Sequence, residues 1–158
     1  MSGYYARQTC LNGHVISNFV GSHDGDLTQP FCNRCGAKTI INCPSCNAPQ
    51  HGSLLADIES NRSPDAYCWN CGRPYPWTSA RLEAAAELAQ EDESLTDADK
   101  QQLVSTFVDI TSENPRTTVA ATRFKRIIRK AGKAVGEAVQ KTIVEVASET
   151  AKKIILGS

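Results

Sequence analysis

The sequence predicts an α+β protein, with short antiparallel β-hairpins in its N-terminal half and an all-α C-terminal region that contains a long amphipathic helix. Three observations lead to this fold class. All cysteines of the 158-residue chain lie between Cys10 and Cys71. From Trp77 onward the composition changes to alanine-rich helix formers. Residues 118–156 contain no proline, so that one helix can continue through them.

Length, charge and hydropathy restrict the class of protein. A chain of 158 residues accommodates one ordinary domain or a small domain with an appendage. Its 17 basic and 17 acidic residues balance, so the chain lacks the strong positive excess of a general nucleic-acid binder. The N-terminus has no apolar run typical of a signal peptide, and no apolar stretch is long enough for a membrane span. We therefore expect a cytoplasmic protein and no integral membrane segment.

Cysteine spacing indicates metal binding. Without a secretion signal, seven cysteines favour metal or redox chemistry, and an odd number cannot close as disulfides. His14, four residues after Cys10, completes a fourth pair across the flexible turn at Asn12 and Gly13. Eight ligands at tetrahedral coordination make two closed, structural Zn²⁺ sites per chain, one Cys₃His and one Cys₄. The predicted metal ligands are Cys10, His14, Cys32, Cys35, Cys43, Cys46, Cys68 and Cys71.

The distances along the chain indicate which pairs share a metal. A zinc ribbon joins two ligand pairs, called knuckles, across a β-hairpin. Pairing in sequence order leaves 17 residues between the first two knuckles and 21 between the last two, which is close to the spacing of about 15–20 residues in such ribbons. Joining the middle two knuckles leaves only seven residues and makes the outer two meet across 53, at a larger closure entropy. The sequence thus favours a first site at about 8–40 and a second at about 41–77, with interleaved sites as the alternative.

The residues around the ligands agree with knuckle turns. Gly36, Asn47 and Gly72 each follow the second cysteine of a pair, where a knuckle adopts a left-handed conformation that these residue types tolerate. The hairpin candidates are residues 15–20 with a turn at 24–26, and residues 51–58 with a polar loop at 59–65. The large aromatic residues expected to pack over the second ribbon, with ligand stacking as the alternative, are Trp69, Tyr75 and Trp77.

Residues 78–113 are expected to form an acidic helical hairpin. Thr78 is the predicted N-cap of a first helix over about 79–91, and Thr96 is the predicted N-cap of a second. The apolar face of the second helix carries Leu103, Phe107 and Ile110. Pro115 then interrupts the helical pattern.

Residues 114–158 are expected to form one long helix that changes from basic to amphipathic, or two helices with a bend at Gly132 and Gly136. The apolar stripe consists of Phe124, Ile128, Ala131, Val135 and Val139. The basic residues of the opposite face are Arg123, Arg126, Lys130 and Lys133. Such a helix needs a partner surface.

Charge is divided between these helical segments. Residues 83–113 contain nine acids and one lysine, whereas residues 116–133 contain seven bases and no acid. The acidic helices can therefore lie near the basic end of the long helix, or copies of the chain can match antiparallel. The spacing of Gly132 and Gly136 also permits close approach of another helix. We expect a protein partner or self-association through residues 118–156.

The order of the motifs "CLNGH", "FCNRCGAKTIINCPSC" and "YCWNCGRPYPW" resembles bacterial double zinc-ribbon proteins. More narrowly, it resembles an uncharacterised bacterial family in which such a module precedes a helical tail. The resemblance covers about residues 4–158 and is specific at the eight ligands. Because double zinc ribbons generally serve as binding or scaffolding modules, the resemblance implies a similar role here. His14 departs from the common Cys-x-x-Cys form without preventing metal binding.

Other interpretations of the cysteines and histidines are weaker. A thioredoxin-like motif needs a Cys-x-x-Cys pair near a βαβ unit, and a zinc deaminase needs His-x-Glu with proline before its cysteine pair. Here Val15 and Ile16 follow His14, so the glutamate of the His-x-Glu motif is missing and the deaminase interpretation fails. His23 and His51 are expected to be loop or surface residues, and His51 would be a ligand only if His14 does not bind.

These observations predict a non-enzymatic zinc-binding adaptor or scaffold protein that acts through protein–protein association or self-assembly. A nucleic-acid-binding zinc-ribbon regulator is the first alternative, since the basic helix could hold phosphates. Membrane-surface binding through the C-terminal amphipathic helix is the second. We infer no small-molecule substrate.

Overall fold

The computed structural model describes residues 3–22, 27–55 and 63–157. The chain divides into two compact units, residues 1–78 and 79–158. The first contains an antiparallel sheet, and the second is helical, so the predicted α+β fold is confirmed. In the described ranges, no helix is both long enough and apolar enough to cross a membrane.

The sheet of the first unit is arranged around its first strand. β1 (Tyr4–Cys10) pairs antiparallel with β2 (Val15–Val20), β3 (Thr39–Ile40) and β4 (His51–Leu54). The sequence pattern predicts β2 and the whole of β4, but it does not predict β1 or β3. The predicted turn at 24–26 and most of the loop at 59–65 lie outside the described residues.

Both predicted ribbons share this sheet. β4 follows the third knuckle yet pairs with β1, which leads into the first knuckle. Gln50 is buried beside β4, and its side-chain amide donates to the Thr9 hydroxyl at 3.1 Å and to the Ile40 carbonyl at 3.1 Å. Gly52 lies so close to the backbone of β1 and β2 that a side chain would collide with the Asn18 carbonyl. The two halves are therefore parts of one compact structure.

The first helix, α1 (Pro76–Gln90), begins earlier than predicted. Proline suits the first turn of a helix because its missing N–H would have no partner there. Thr78 is therefore not the N-cap. It is fully buried inside the first turn, and its hydroxyl donates to the Ala66 carbonyl at 2.8 Å.

Two short helices follow, α2 (Asp97–Ser105) and α3 (Phe107–Thr111). Thr96 is the N-cap of α2, as predicted, and its hydroxyl accepts from the Asp99 N–H at 3.1 Å. The predicted second helix is thus divided at Thr106, although its predicted apolar residues Leu103, Phe107 and Ile110 are all buried.

The C-terminal segment forms three helices, so the prediction of one long helix is wrong. They are α4 (Thr117–Ile128), α5 (Lys133–Val144) and α6 (Glu149–Leu156). The first break lies at Gly132, whose N–H donates to the Asp92 carboxylate at 2.8 Å. The second lies at Ser148, whose hydroxyl accepts from the Ala151 N–H and caps α6. The breaks let the chain fold back so that α4 packs against α6.

This folding covers the predicted apolar stripe within the helical unit. Phe124 and Val139 are fully buried, Ile128 is nearly so, and Ala131 and Val135 pack against the same core. All members of the core cluster come from residues 85–155. One basic residue of the C-terminal segment also pairs with an acidic residue of the preceding helices: the Lys130 ammonium lies 3.1 Å from the Asp99 carboxylate.

Candidate metal centres

The structure gathers the eight predicted ligands into two groups, and in each the candidate ligand atoms lie within 4.8 Å of one another. The first group is Cys10, His14, Cys32 and Cys35, and the second is Cys43, Cys46, Cys68 and Cys71. Each group joins knuckles that follow one another in sequence, and the interleaved alternative is not what the structure shows. Both groups lie in the first unit.

The first group has the dimensions of a tetrahedral zinc site. Zinc–sulfur bonds of about 2.3 Å and zinc–nitrogen bonds of about 2.0–2.1 Å place two sulfurs about 3.8 Å apart and a nitrogen about 3.6 Å from a sulfur. The Cys10 and Cys35 sulfurs are 3.7 Å apart. The Nδ1 atom of His14 lies 3.5 Å from the Cys10 sulfur and 3.6 Å from the Cys32 sulfur. These distances agree with zinc held by three thiolates and one imidazole.

The second group fits the same tetrahedron with sulfur ligands alone. The Cys43 and Cys71 sulfurs are 3.8 Å apart, and the Cys46 and Cys68 sulfurs are 3.7 Å apart. A disulfide would need sulfurs about 2.05 Å apart, and all seven cysteines are free. The four thiols are thus arranged around a common centre.

Three knuckles have nearly the same backbone. In each, the N–H of the residue after the second cysteine donates to the carbonyl of the first cysteine, at 2.8–2.9 Å. That donor has a positive φ of 76° at Gly36, 63° at Asn47 and 72° at Gly72, as the sequence analysis predicts. An isolated β-bridge closes each turn, and the bridges are Phe31 with Lys38, Asn42 with Pro49 and Tyr67 with Pro74.

The remaining knuckle is the turn between β1 and β2. The Gly13 N–H donates to the Cys10 carbonyl at 3.0 Å, and the Cys10 N–H donates to the His14 carbonyl at 2.9 Å. Gly13 has a φ of 87°. The additional residue in Cys-x-x-x-His thus lengthens the turn while both ligand atoms face the same centre.

Hydrogen bonds from outside the ligand sets orient the sulfurs. The backbone N–H groups of Arg34, Ser45 and Asn70 donate to the sulfurs of Cys32, Cys43 and Cys68, each at 3.4 Å. Side-chain amides add one bond to each site, because Asn12 donates to the Cys35 sulfur at 3.4 Å and Asn70 donates to the Cys46 sulfur at 3.5 Å. Such contacts favour the thiolate and fix its direction. Neither amide is recognisable from the spacing of the ligands in the sequence.

These donors lower the pKa of particular thiols. The backbone N–H of Ala37 and the amide of Asn12 lower the pKa of Cys35 to about 6. Burial raises the pKa of Cys68, but donation from the backbones of Cys71 and Asn70 prevails and brings it to about 6. Since metals bind the thiolate, each set offers a deprotonated ligand near neutral pH.

Each site has a buried side and an exposed side. The first cysteine of every Cys-x-x-Cys pair is buried, as is Cys10, whereas Cys35 and Cys71 are exposed. With zinc bound, the first set would carry one net negative charge and the second would carry two. Each set contains four candidate protein ligands, which is the number that a tetrahedral metal site requires.

The other singled-out residues lie outside the two groups. His51 is sandwiched between the rings of Tyr4 and Trp69, while His23 falls outside the described residues. The predicted packing of Tyr75 and Trp77 is confirmed, since both are buried and stack at 4.6 Å. Trp69 packs on one side, against the His51 ring at 4.5 Å, and remains 53% exposed.

Comparison with known proteins yields one family. Residues 3–155 match the family described as "Uncharacterized protein conserved in bacteria (DUF2321)". No curated protein matches the chain, and neither does any solved structure.

Proposed function

The chain belongs to this family of uncharacterised bacterial proteins, DUF2321, and we propose that it is a non-enzymatic zinc-binding adaptor or scaffold protein. Zinc would be held by three cysteines and a histidine at the first site and by four cysteines at the second. The proposed place of action is the reducing cytoplasm, where thiols stay available as ligands.

The observation that carries this proposal is the closed tetrahedral arrangement of each ligand set. A catalytic zinc site keeps a coordination position for water or substrate, whereas a structural site fills all four with protein ligands. Both groups here supply four ligand atoms within 4.8 Å of one another. Bound zinc would supply a rigid tetrahedral cross-link between two knuckles.

The composition of the first unit explains why it would need metal. Its fully buried side chains include polar ones, such as Arg7 and Thr9, and most of its buried apolar residues are the cysteines themselves. Small domains with too little apolar core commonly depend on metal or disulfides. Structural zinc contributes on the order of 10–16 kcal/mol of apparent binding free energy. In this proposal that energy replaces a hydrophobic core.

The adaptor role is supported by exposed apolar and aromatic side chains on the first unit. Phe31 is 61% exposed and Trp69 is 53% exposed. By contrast, the apolar stripe of residues 118–156 is covered within its own unit. Self-association through that segment stays a prediction, and it would have to use exposed residues such as Val119. We therefore favour the first unit as the partner-binding surface.

A second candidate is nucleic-acid binding through the outer face of α4. Arg123 and Arg126 line a groove of about 330 Å³ together with Thr118, Val119 and Thr122. Arginines placed this way could hold phosphates, and an anionic membrane surface would meet the same side chains. Either activity would weaken steeply with added salt and would be lost in the Arg123→Glu/Arg126→Glu variant. Flotation with anionic vesicles would identify the membrane.

Native mass spectrometry of the protein purified without added metal tests the proposal. We expect two zinc ions per chain, and the measured mass distinguishes zinc from iron while also reporting the number of subunits. The double variants Cys32→Ser/Cys35→Ser and Cys43→Ser/Cys46→Ser should each retain one zinc. Ser45→Ala, an exposed non-ligand change in the third knuckle, should retain two. Reduced thiols without bound zinc would contradict the proposal.

A further inference from the structure

Three aromatic rings form a continuous stack on the first unit. The Tyr4 ring lies 4.3 Å from the His51 ring at an interplanar angle of 6°, and the His51 ring lies 4.5 Å from the Trp69 ring at 14°. These rings come from β1, β4 and the fourth knuckle. His51 occupies the middle, so Trp69 forms one end of the stack.

Trp69 is held firmly although it is exposed. Its indole N–H donates to the Pro49 carbonyl at 2.8 Å, and His51 covers one ring face. Since the residue is still 53% exposed, the opposite face is turned to solvent. Trp77 differs, because it is 1% exposed. A large aromatic side chain fixed in one orientation loses little conformational entropy when a partner binds it.

The surroundings of Trp69 favour a cation. The residue lies between Cys68 and Cys71, two members of the tetrathiolate set, which keeps two net negative charges when zinc is bound. The charged side chains of residues 63–78 are Asp65 and Arg73, which offset each other in formal charge. The face of an indole ring also attracts cations, more strongly than that of tyrosine or phenylalanine. The phosphates that accompany a nucleobase would instead be repelled by the thiolates.

We propose that the solvent-facing ring of Trp69 binds a cationic side chain, an arginine guanidinium or a lysine ammonium, of a protein partner. The inference deepens the proposed adaptor function and rests on it, because the tetrathiolate set must be intact and loaded with metal. Ring attraction and thiolate charge then act on the same cation. Exposed aromatic residues of this kind are typical anchors of protein interfaces.

To test this inference, the zinc-loaded full-length protein is titrated with a short arginine–glycine peptide, which supplies guanidinium groups. The matched probe is the same peptide with citrulline, which keeps the shape of arginine without its charge. Isothermal titration calorimetry measures binding by every variant, and in the unchanged protein the indole N–H resonance of Trp69 reports where the peptide binds. We expect saturable binding of the arginine peptide only. Trp69→Ala should weaken it at least about fivefold, and Trp69→Phe should weaken it less.

Val108→Ala is the control, since it removes an apolar side chain that is 60% exposed on the helical unit. It should bind the peptide like the unchanged protein. Equal binding of the citrulline peptide, or unchanged binding by Trp69→Ala, would overturn the inference. So would binding of oligothymidine that depends on Trp69, because it would indicate base stacking. If the protein carries two zinc ions but does not bind the peptide, only this inference is contradicted. If the protein carries no zinc, the proposed function is contradicted.

Discussion

Asn47 is the one non-glycine residue with a positive φ in the part of the chain that the structure describes, at 63°. It occupies the same position as Gly36 and Gly72 in the other Cys-x-x-Cys knuckles. Asparagine tolerates this conformation because its short polar side chain can bond locally. Here the Asn42 amide donates to the Asn47 side-chain oxygen at 3.3 Å. The turn of the third knuckle therefore needs asparagine or glycine at position 47, since these residues tolerate the left-handed conformation.

Replacing Asn47 tests this dependence. Asn47→Ala should cost about 1 kcal/mol, because a β-carbon without a local hydrogen bond disfavours the left-handed conformation. This corresponds to roughly fivefold weaker zinc binding at the second site. Asn47→Gly should bind zinc nearly as tightly as the unchanged protein. Competition with a chelator measures both sites, and the first site serves as internal control. Equal affinities for the alanine and glycine variants would contradict the prediction.

At the scale of single residues, the candidate ligand positions are readable from the sequence because a tetrahedral metal site demands particular side chains at short, regular separations. Cys10 and His14 fit this demand despite their longer spacing. Asn12 and Asn70 could not be found in this way, since an amide beside a thiolate has no characteristic spacing. Trp69 illustrates another limit, because sequence alone does not show that His51 covers only one face of its ring.

At the scale of elements, the sequence indicates which segments are helical but only partly where each helix begins and ends. Thr96 is recognisable as a cap because acidic residues follow it directly. The sequence allows a bend at Gly132, but the acceptor that stabilises it, Asp92, lies 40 residues earlier in the chain. Ser148 caps α6 and also donates its N–H to the Ile110 carbonyl at 2.9 Å. Such long-range partners have no periodic signal in the sequence.

Asp92 should therefore be one of the most sensitive positions of the helical unit. Its buried carboxylate accepts from the N–H groups of Ser94, Leu95 and Gly132 at 2.8–2.9 Å. Asp92→Ala leaves these donors without that acceptor and should cost about 2–4 kcal/mol.

Asp92→Asn keeps one oxygen and should cost less. Glu93→Ala, an exposed neighbouring change, should alter stability by no more than about 0.5 kcal/mol. Urea unfolding followed by far-UV circular dichroism measures all three variants. A cost for Asp92→Ala as small as that of Glu93→Ala would show that the carboxylate does not support the break before α5.

The contact between α2 and the segment after α4 predicts a pH dependence. The hydrogen bond from Lys130 lowers the pKa of Asp99 below its ordinary value of 3.8. Because the folded-state pKa is depressed, the pair stabilises the fold above about pH 4, and this contribution is lost as the pH falls through the lowered value. An NMR titration should show the Asp99 midpoint below 3.8. Lys130→Gln should raise it, and Lys133→Gln should not. An unchanged midpoint in Lys130→Gln would exclude the pair as the cause.

At the scale of the whole molecule, the two units are stabilised by different means. The helical unit has a continuous apolar core drawn from residues 85–155 and contains no member of the two candidate metal groups. The first unit buries cysteines and hydrogen-bonded polar side chains instead. The division between ribbon and helices could be inferred from composition, but the shared β1 strand could not, because its pairing with β4 spans more than forty residues.

This difference predicts separate responses to a chelator. Both tryptophans, Trp69 and Trp77, lie in the first unit, so tryptophan fluorescence reports on that unit. Removal of zinc should shift the emission to that of exposed indole, because Trp77 loses its burial when the knuckles separate. The far-UV helix band should largely persist, since residues 85–155 keep their own core. Restoring zinc should reverse the fluorescence change. A simultaneous collapse of the helix band would show that the helical unit also depends on the metal sites, and unchanged fluorescence would show that the sheet and aromatic contacts suffice without metal.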